Sequence, residues 1–82
     1  MIVSAQIAIY PLRQERLTPA ITAVSAALEA AGLEPEVGAM STVVIGEAAT
    51  VFSTLADAFA RAGALGHVVM TVTVSNACPL GP

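Results

Sequence analysis

Apolar and polar positions alternate over two long stretches of the chain. In Ile2–Tyr10, Val3, Ala5, Ile7 and Ile9 fall on one face, while Ser4, Gln6, Ala8 and Tyr10 fall on the other. In His67–Ser75, Val68, Met70, Val72 and Val74 oppose Val69, Thr71, Thr73 and Ser75. A period of two is that of a half-buried β-strand. Pro11 is expected to end the first strand, because proline cannot donate to a sheet ladder. The last strand runs into a Ser75-Asn76-Ala77-Cys78-Pro79 corner.

Between these strands the period changes. Thr18-Pro19 reads as a helix start. Ile21, Val24 and Leu28 then recur at helical spacing up to Ala31, with Thr22, Ser25 and Glu29 on the opposite side and Gly32 as the stop. Leu33–Met40 reads as an edge strand interrupted by Pro35 and Gly38, and Val43–Ile45 as a short third strand closed by Gly46. Glu47 falls in the first turn of a second helix, over Ala48–Ala62. There Val51, Leu55 and Phe59 form a stripe broadened by Phe52 and Ala62, and Asp57–Arg61 forms an i,i+4 pair. Leu12–Leu17, which carries Arg13, Glu15 and Arg16, reads as a solvated loop.

The order strand, helix, strand, strand, helix, strand predicts an α+β fold of the ferredoxin-like βαββαβ type. Right-handed crossovers place the first and third strands side by side, flanked by the fourth and second. Both helices then cover one face of a four-stranded antiparallel sheet. The other face is open and carries Ser4, Gln6, Ala8, Tyr10, Val69, Thr71, Thr73 and Ser75. Such a surface is too poor in charge for an ordinary solvated face, and is expected to serve as a subunit interface, a small-molecule site, or both.

Composition sharpens this picture. The 82 residues suit one domain, 1–82, yet 56% are hydrophobic and only 11% are charged, against a usual charged share of about 25%. So small a domain hides that much apolar surface poorly, which predicts a homo-oligomer. A net charge of −3 without any lysine excludes a phosphate-neutralising basic stripe, and with it a nucleic-acid partner. No basic leader and no uninterrupted membrane-length apolar run is visible, so a soluble cytoplasmic protein without membrane insertion is expected. The single cysteine, Cys78, leaves no internal disulfide and no multi-cysteine metal site.

Catalytic constellations are hard to assemble. His67 is the only histidine, and it stands at the other end of its strand from Cys78. The carboxylates Glu15, Glu29, Glu34, Glu36, Glu47 and Asp57 are scattered, with no pair on one predicted face. There is no phosphate-binding glycine motif. Neutral hydrogen-bonding groups do concentrate: Gln6, Ser41, Thr42, Thr71, Thr73, Ser75 and Asn76. A few such groups in an apolar wall suit a heteroaromatic ligand, with Tyr10, Met40, Phe52 and Met70 as soft surfaces.

Gln6–Leu12 (QIAIYPL), Met40–Gly46 (MSTVVIG) followed by Val51-Phe52, and His67–Pro79 (HVVMTVTVSNACP) together resemble one repeat of the YkoF-like family, which binds thiamine and its hydroxymethylpyrimidine part. The resemblance spans nearly the whole chain and implies the same ferredoxin-like fold. It implies a non-catalytic binding protein with no metal and no cofactor, whose ligand is thiamine, a thiamine phosphate or the free pyrimidine. On that reading Gln6, Ser41, Thr42 and Asn76 address the aminopyrimidine, with Ser75 beside them, Tyr10, Met40 and Phe52 supply walls, and Glu47 faces the cationic thiazolium. The family's founding form is a tandem of two repeats, so a single repeat is expected to pair as a homodimer or homotetramer. The last corner departs from the family's frequent Ser-x-Gly-Cys-Pro-Gly: Ala77 stands where glycine would give more conformational freedom. The alternative reading is an oligomeric interaction or regulatory domain without a thiamine ligand. An enzyme using His67 and Cys78 across a subunit interface ranks third.

Overall fold

The first strand is the one on which the sheet is built. In the computed structural model, which describes residues 1–13, 18–39 and 41–77, β1 (Ile2–Leu12) is followed by α1 (Thr18–Ala30), β2 (Glu36–Val37), β3 (Thr42–Glu47), α2 (Ala48–Gly63) and β4 (His67–Ser75). The strands lie in the order β2-β3-β1-β4, every pair antiparallel. This is the ferredoxin-like α+β architecture.

Alternation sorts the β1 side chains as the sequence predicts. Val3, Ala5 and Ile7 are buried beneath the helices, and they meet Val44 of β3, Ala20, Val24, Ala27 and Leu28 of α1, and Val51, Leu55, Ala58 and Ala62 of α2. Each large side chain buried in this way contributes about 1.5–3 kcal/mol. The many alanines let the two helices lie close to each other and to the sheet. The helix-facing Val68, Met70, Val72 and Val74 of β4 are only half-buried.

Local chemistry sets the element ends. Gly32 adopts φ +82° after α1. The Leu33 N–H donates to the Leu28 carbonyl at 3.0 Å and the Gly32 N–H to the Glu29 carbonyl at 3.0 Å, the paired bonds of a Schellman stop. Gly46 leaves space for a neighbour, since a Cβ there would come within 2.6 Å of Leu33 Cδ2. The buried Thr54 hydroxyl is satisfied by donating to the Thr50 carbonyl at 2.7 Å.

Several boundaries differ from the sequence expectation, each for a visible reason. Pro11 does not end β1; it pairs with Val68 of β4, in a part of the strand that β3 does not reach. The expected edge strand over Leu33–Met40 shrinks to Glu36–Val37, because Pro35 and Gly38 bracket it. β3 is longer than expected at both ends, and Glu47 is its last residue rather than part of the helix. Phe52 and Phe59 are not core residues: they are 56% and 45% exposed, and the buried stripe of α2 is Val51, Thr54, Leu55, Ala58 and Ala62. Ile21 is likewise exposed while Ala20 is buried. Asp57 and Arg61 do pair, Oδ2 to Nε at 3.1 Å. No helix among the described residues is long and apolar enough to cross a membrane.

Leu28 is fully buried where its neighbour Glu29 is exposed. Leu28→Ala is therefore expected to cost about 2–5 kcal/mol in urea unfolding, and Glu29→Ala no more than about 0.5 kcal/mol.

Candidate functional site

β1 is flanked unequally. It pairs with β4 from Ser4↔Ser75 to Leu12↔His67, but with β3 only from Ile2↔Glu47 to Ile7↔Thr42. Among the described residues, Ala8–Leu12 therefore have a strand neighbour on one side alone. The chain before β3 turns away instead, through a turn closed by the Gly38 N–H donating to the Ser41 carbonyl at 2.8 Å.

A cavity of about 200 Å³ opens beside Thr42, where β3 begins. Its wall includes Ile7 and Ile9 from the helix-facing side of β1 and Ala8 and Tyr10 from the open side, so it lies in the plane of the sheet, in the space a longer β3 would occupy. Ile21, Val37, Gly38, Ala39, Ser41 and Thr42 complete it. A second hollow of about 290 Å³ on the open face shares Ala8, Tyr10 and Ser41 and adds Gln6, Thr71 and Thr73. Gln6 Nε2 donates to Ser41 Oγ at 3.2 Å, which links the two hollows. No carboxylate, lysine, arginine or histidine lines either hollow among the described residues.

The structure thus brings Gln6, Tyr10, Ser41 and Thr42 together, with Thr42 almost wholly buried and Ser41 at the junction. Glu47 stands at the other end of β3, five residues or about 17 Å from Thr42. Its Oε1 accepts from the N-terminal ammonium of Met1 at 2.6 Å. Ser75 pairs with Ser4 at the same end. Asn76 Nδ2 donates to Met1 Sδ at 3.3 Å, and the Ala77 N–H donates to Ser75 Oγ at 3.0 Å, closing the corner. Phe52 lies in the helical layer, exposed on α2. Met40 and Cys78 lie outside the described residues. His67 begins β4, across from Leu12.

Sequence reasoning missed the walls made by Ile7, Ile9, Ile21 and Val37. Their signal is the short β3, which is visible only once the register is known. Among the described residues, no group of three or more histidine, cysteine, aspartate or glutamate side chains is placed to hold a metal ion.

The arrangement defines a class: a ferredoxin-like α+β sandwich with a small uncharged pocket at the end of its central strand. Comparison gives the family. The profile of the YKOF-related family matches residues 2–81, and the chain belongs to that family. Among curated protein sequences none matches the chain. A solved Streptococcus pneumoniae protein is 26% identical, with a TM-score of 0.84 over 92% of this chain and 86% of its own. A Thermotoga maritima protein provisionally placed in thiamine biosynthesis or salvage is 20% identical, with a TM-score of 0.81 over 90% of this chain and 82% of its own. A Bacillus cereus domain of unknown function is 18% identical, with a TM-score of 0.79 over 90% of this chain and 74% of its own.

Gln6 is exposed and its bond to Ser41 is solvent-accessible. A neutral exposed hydrogen bond contributes about 1 kcal/mol or less. Gln6→Leu and Ser41→Ala are therefore expected to unfold within about 1 kcal/mol of the parent in urea, leaving both variants folded for binding measurements.

Proposed function

We propose that this chain is a non-catalytic binding protein for thiamine or its hydroxymethylpyrimidine portion, held in the pocket beside β1. The observation that carries the proposal is the neutral gap left beside β1 at Thr42, where β3 begins. A cavity of about 200 Å³ is below the roughly 300–1,000 Å³ of pockets for drug-sized ligands, and it suits a single ring. The polar side chains on its lining are those of Tyr10, Ser41 and Thr42, set with strand backbone among isoleucine and valine walls, and the Gln6 amide lies in the adjoining hollow. An aminopyrimidine offers ring nitrogens that accept and an amino group that donates. Gln6 and Ser41 can each do both, and the β1 backbone from Ala8 onward supplies N–H and C=O groups with no β3 partner in the register. Family membership and the thiamine-related fold neighbour support the same reading.

The pocket's neutrality divides the ligand. Among the described residues no carboxylate lines either hollow, so none of them offers a thiazolium cation an ion pair there, and Glu47 is committed to the N-terminal ammonium. Recognition on this proposal rests on the pyrimidine half, with the thiazolium directed toward the open face.

Calorimetric and thermal-shift titrations with thiamine, its phosphates and hydroxymethylpyrimidine test the proposal, since a ligand that binds only the folded state raises apparent stability. Saturable binding is expected, with hydroxymethylpyrimidine within about tenfold of thiamine, or about 1.4 kcal/mol. Gln6→Leu and Ser41→Ala should each weaken it at least about tenfold, and Glu47→Gln less than about twofold. Absence of binding at millimolar ligand by a folded protein would move the function to an interaction or regulatory domain.

A further inference from the structure

Gln6 and Ser41 are bonded to each other but do not stand in the same place. Gln6 lines the hollow on the open face, beside Thr71 and Thr73, and is not part of the wall of the cavity beside β1. Ser41 lines both. The amide therefore meets the cavity by way of the hydroxyl, through the bond from Gln6 Nε2 to Ser41 Oγ at 3.2 Å.

The backbone of Ser41 is held from two sides. Its carbonyl accepts from the Gly38 N–H at 2.8 Å, and the next residue, the buried Thr42, opens β3 in register with Ile7. The turn is closely packed, since a Cβ at Gly38 would come within 3.2 Å of the Ser41 carbonyl oxygen. What remains to be set is the rotation of the side chain and of its O–H bond. A hydroxyl has one proton to donate and two lone pairs to accept with. The Gln6 N–H takes up a lone pair, and among the described residues the hydroxyl has no second partner. The amide hydrogen repels the hydroxyl proton, so the proton turns away from Gln6 and is left for whatever fills the cavity. A hydroxyl that accepts from an amide is also polarised into a better donor.

We propose that Gln6 is a positioning residue: it turns the Ser41 proton toward the cavity, so that the site takes a heterocycle through a ring nitrogen bearing no hydrogen. The assignment rests on the pyrimidine reading of the cavity and adds a direction to it. Ser41 is the donor and the ligand the acceptor. A ring N–H at the same place would set donor against donor and leave both unpaired, which costs more than a hydrogen bond gains. Gln6 itself need not touch the ligand.

Calorimetric titration with hydroxymethylpyrimidine, at a pH where the free ring is unprotonated, tests the direction. Gln6→Glu keeps the side-chain length and the bond to Ser41 but reverses it, because a carboxylate only accepts and so takes the Ser41 proton. It is expected to weaken binding at least about tenfold, or about 1.4 kcal/mol. A contact or packing role for Gln6 would not produce that loss, since the two side chains have nearly the same shape. Ser41→Ala and Gln6→Leu/Ser41→Ala should bind within about twofold of each other, as expected when one residue acts through the other. Position 6 is exposed, and circular dichroism checks that each variant is folded. Gln6→Glu binding within about twofold of the parent, or a double variant at least about tenfold weaker than Ser41→Ala, would overturn the proposal and leave the pyrimidine reading standing. A folded parent that binds no hydroxymethylpyrimidine at millimolar concentration would remove that reading and this proposal together.

Discussion

The structure depends on the unequal pairing of β1. One strand of eleven residues is matched along most of its length by β4 and along only about half by β3. The inward side chains of its paired half, Val3, Ala5 and Ile7, are the floor of the core. Its unmatched half cannot close against β3, because the chain there must turn between two short strands. The turn leaves a gap through the sheet, and the gap is the pocket. Core and site are therefore two halves of one strand, separated where Ile7 meets Thr42.

The uncharged character of the site follows from the same geometry. The carboxylates and the histidine of the sheet lie toward its rims: Glu36 on β2, Glu47 at the end of β3 and His67 at the start of β4. Between them the open face is built from Gln6, Ala8, Thr71 and Thr73 with Tyr10. Such a surface recognises by hydrogen-bond direction and shape rather than by charge, which suits a neutral heterocycle and gives little hold on phosphate. Glu47 has a structural use instead. With the Ala48 N–H donating to the Met1 carbonyl at 2.9 Å, its ion pair ties the start of β1 to the start of α2, and so holds the end of the sheet opposite the pocket. As an exposed pair it contributes at most about 1 kcal/mol.

Much of the fold was legible in the sequence. Period-two alternation in β1 and β4, the Gly32 stop and the element order suffice for the architecture, since crossover handedness leaves few arrangements. The α2 core stripe was legible only in part. A spacing of i, i+4, i+8 drifts about 80° around a helix of 3.6 residues per turn, which carries Phe59 to the flank, whereas Ala58 and Ala62 stay over the sheet. Large side chains drew the eye, and small ones make the contact. For the candidate site, residue chemistry pointed to Gln6, Tyr10, Ser41 and Thr42, which the structure brings together. It also drew in Glu47, Ser75 and Asn76, which share their polarity but stand at the other end of the strands. Polarity is readable along a chain; the register that separates two ends of a sheet is not.

The central claim is that the gap beside β1 is a pyrimidine site, and the most direct measurement of it is a residue-resolved one. Backbone amide resonances of uniformly ¹⁵N-labelled protein would be followed during titration with hydroxymethylpyrimidine. The account predicts saturable shifts concentrated at Ile7–Tyr10, Val37–Ala39 and Ser41–Thr42, with Glu47, Ser75 and Asn76 unmoved. Shifts centred on Glu47, Ser75 and Asn76, or none at saturating concentrations of a folded protein, would contradict it.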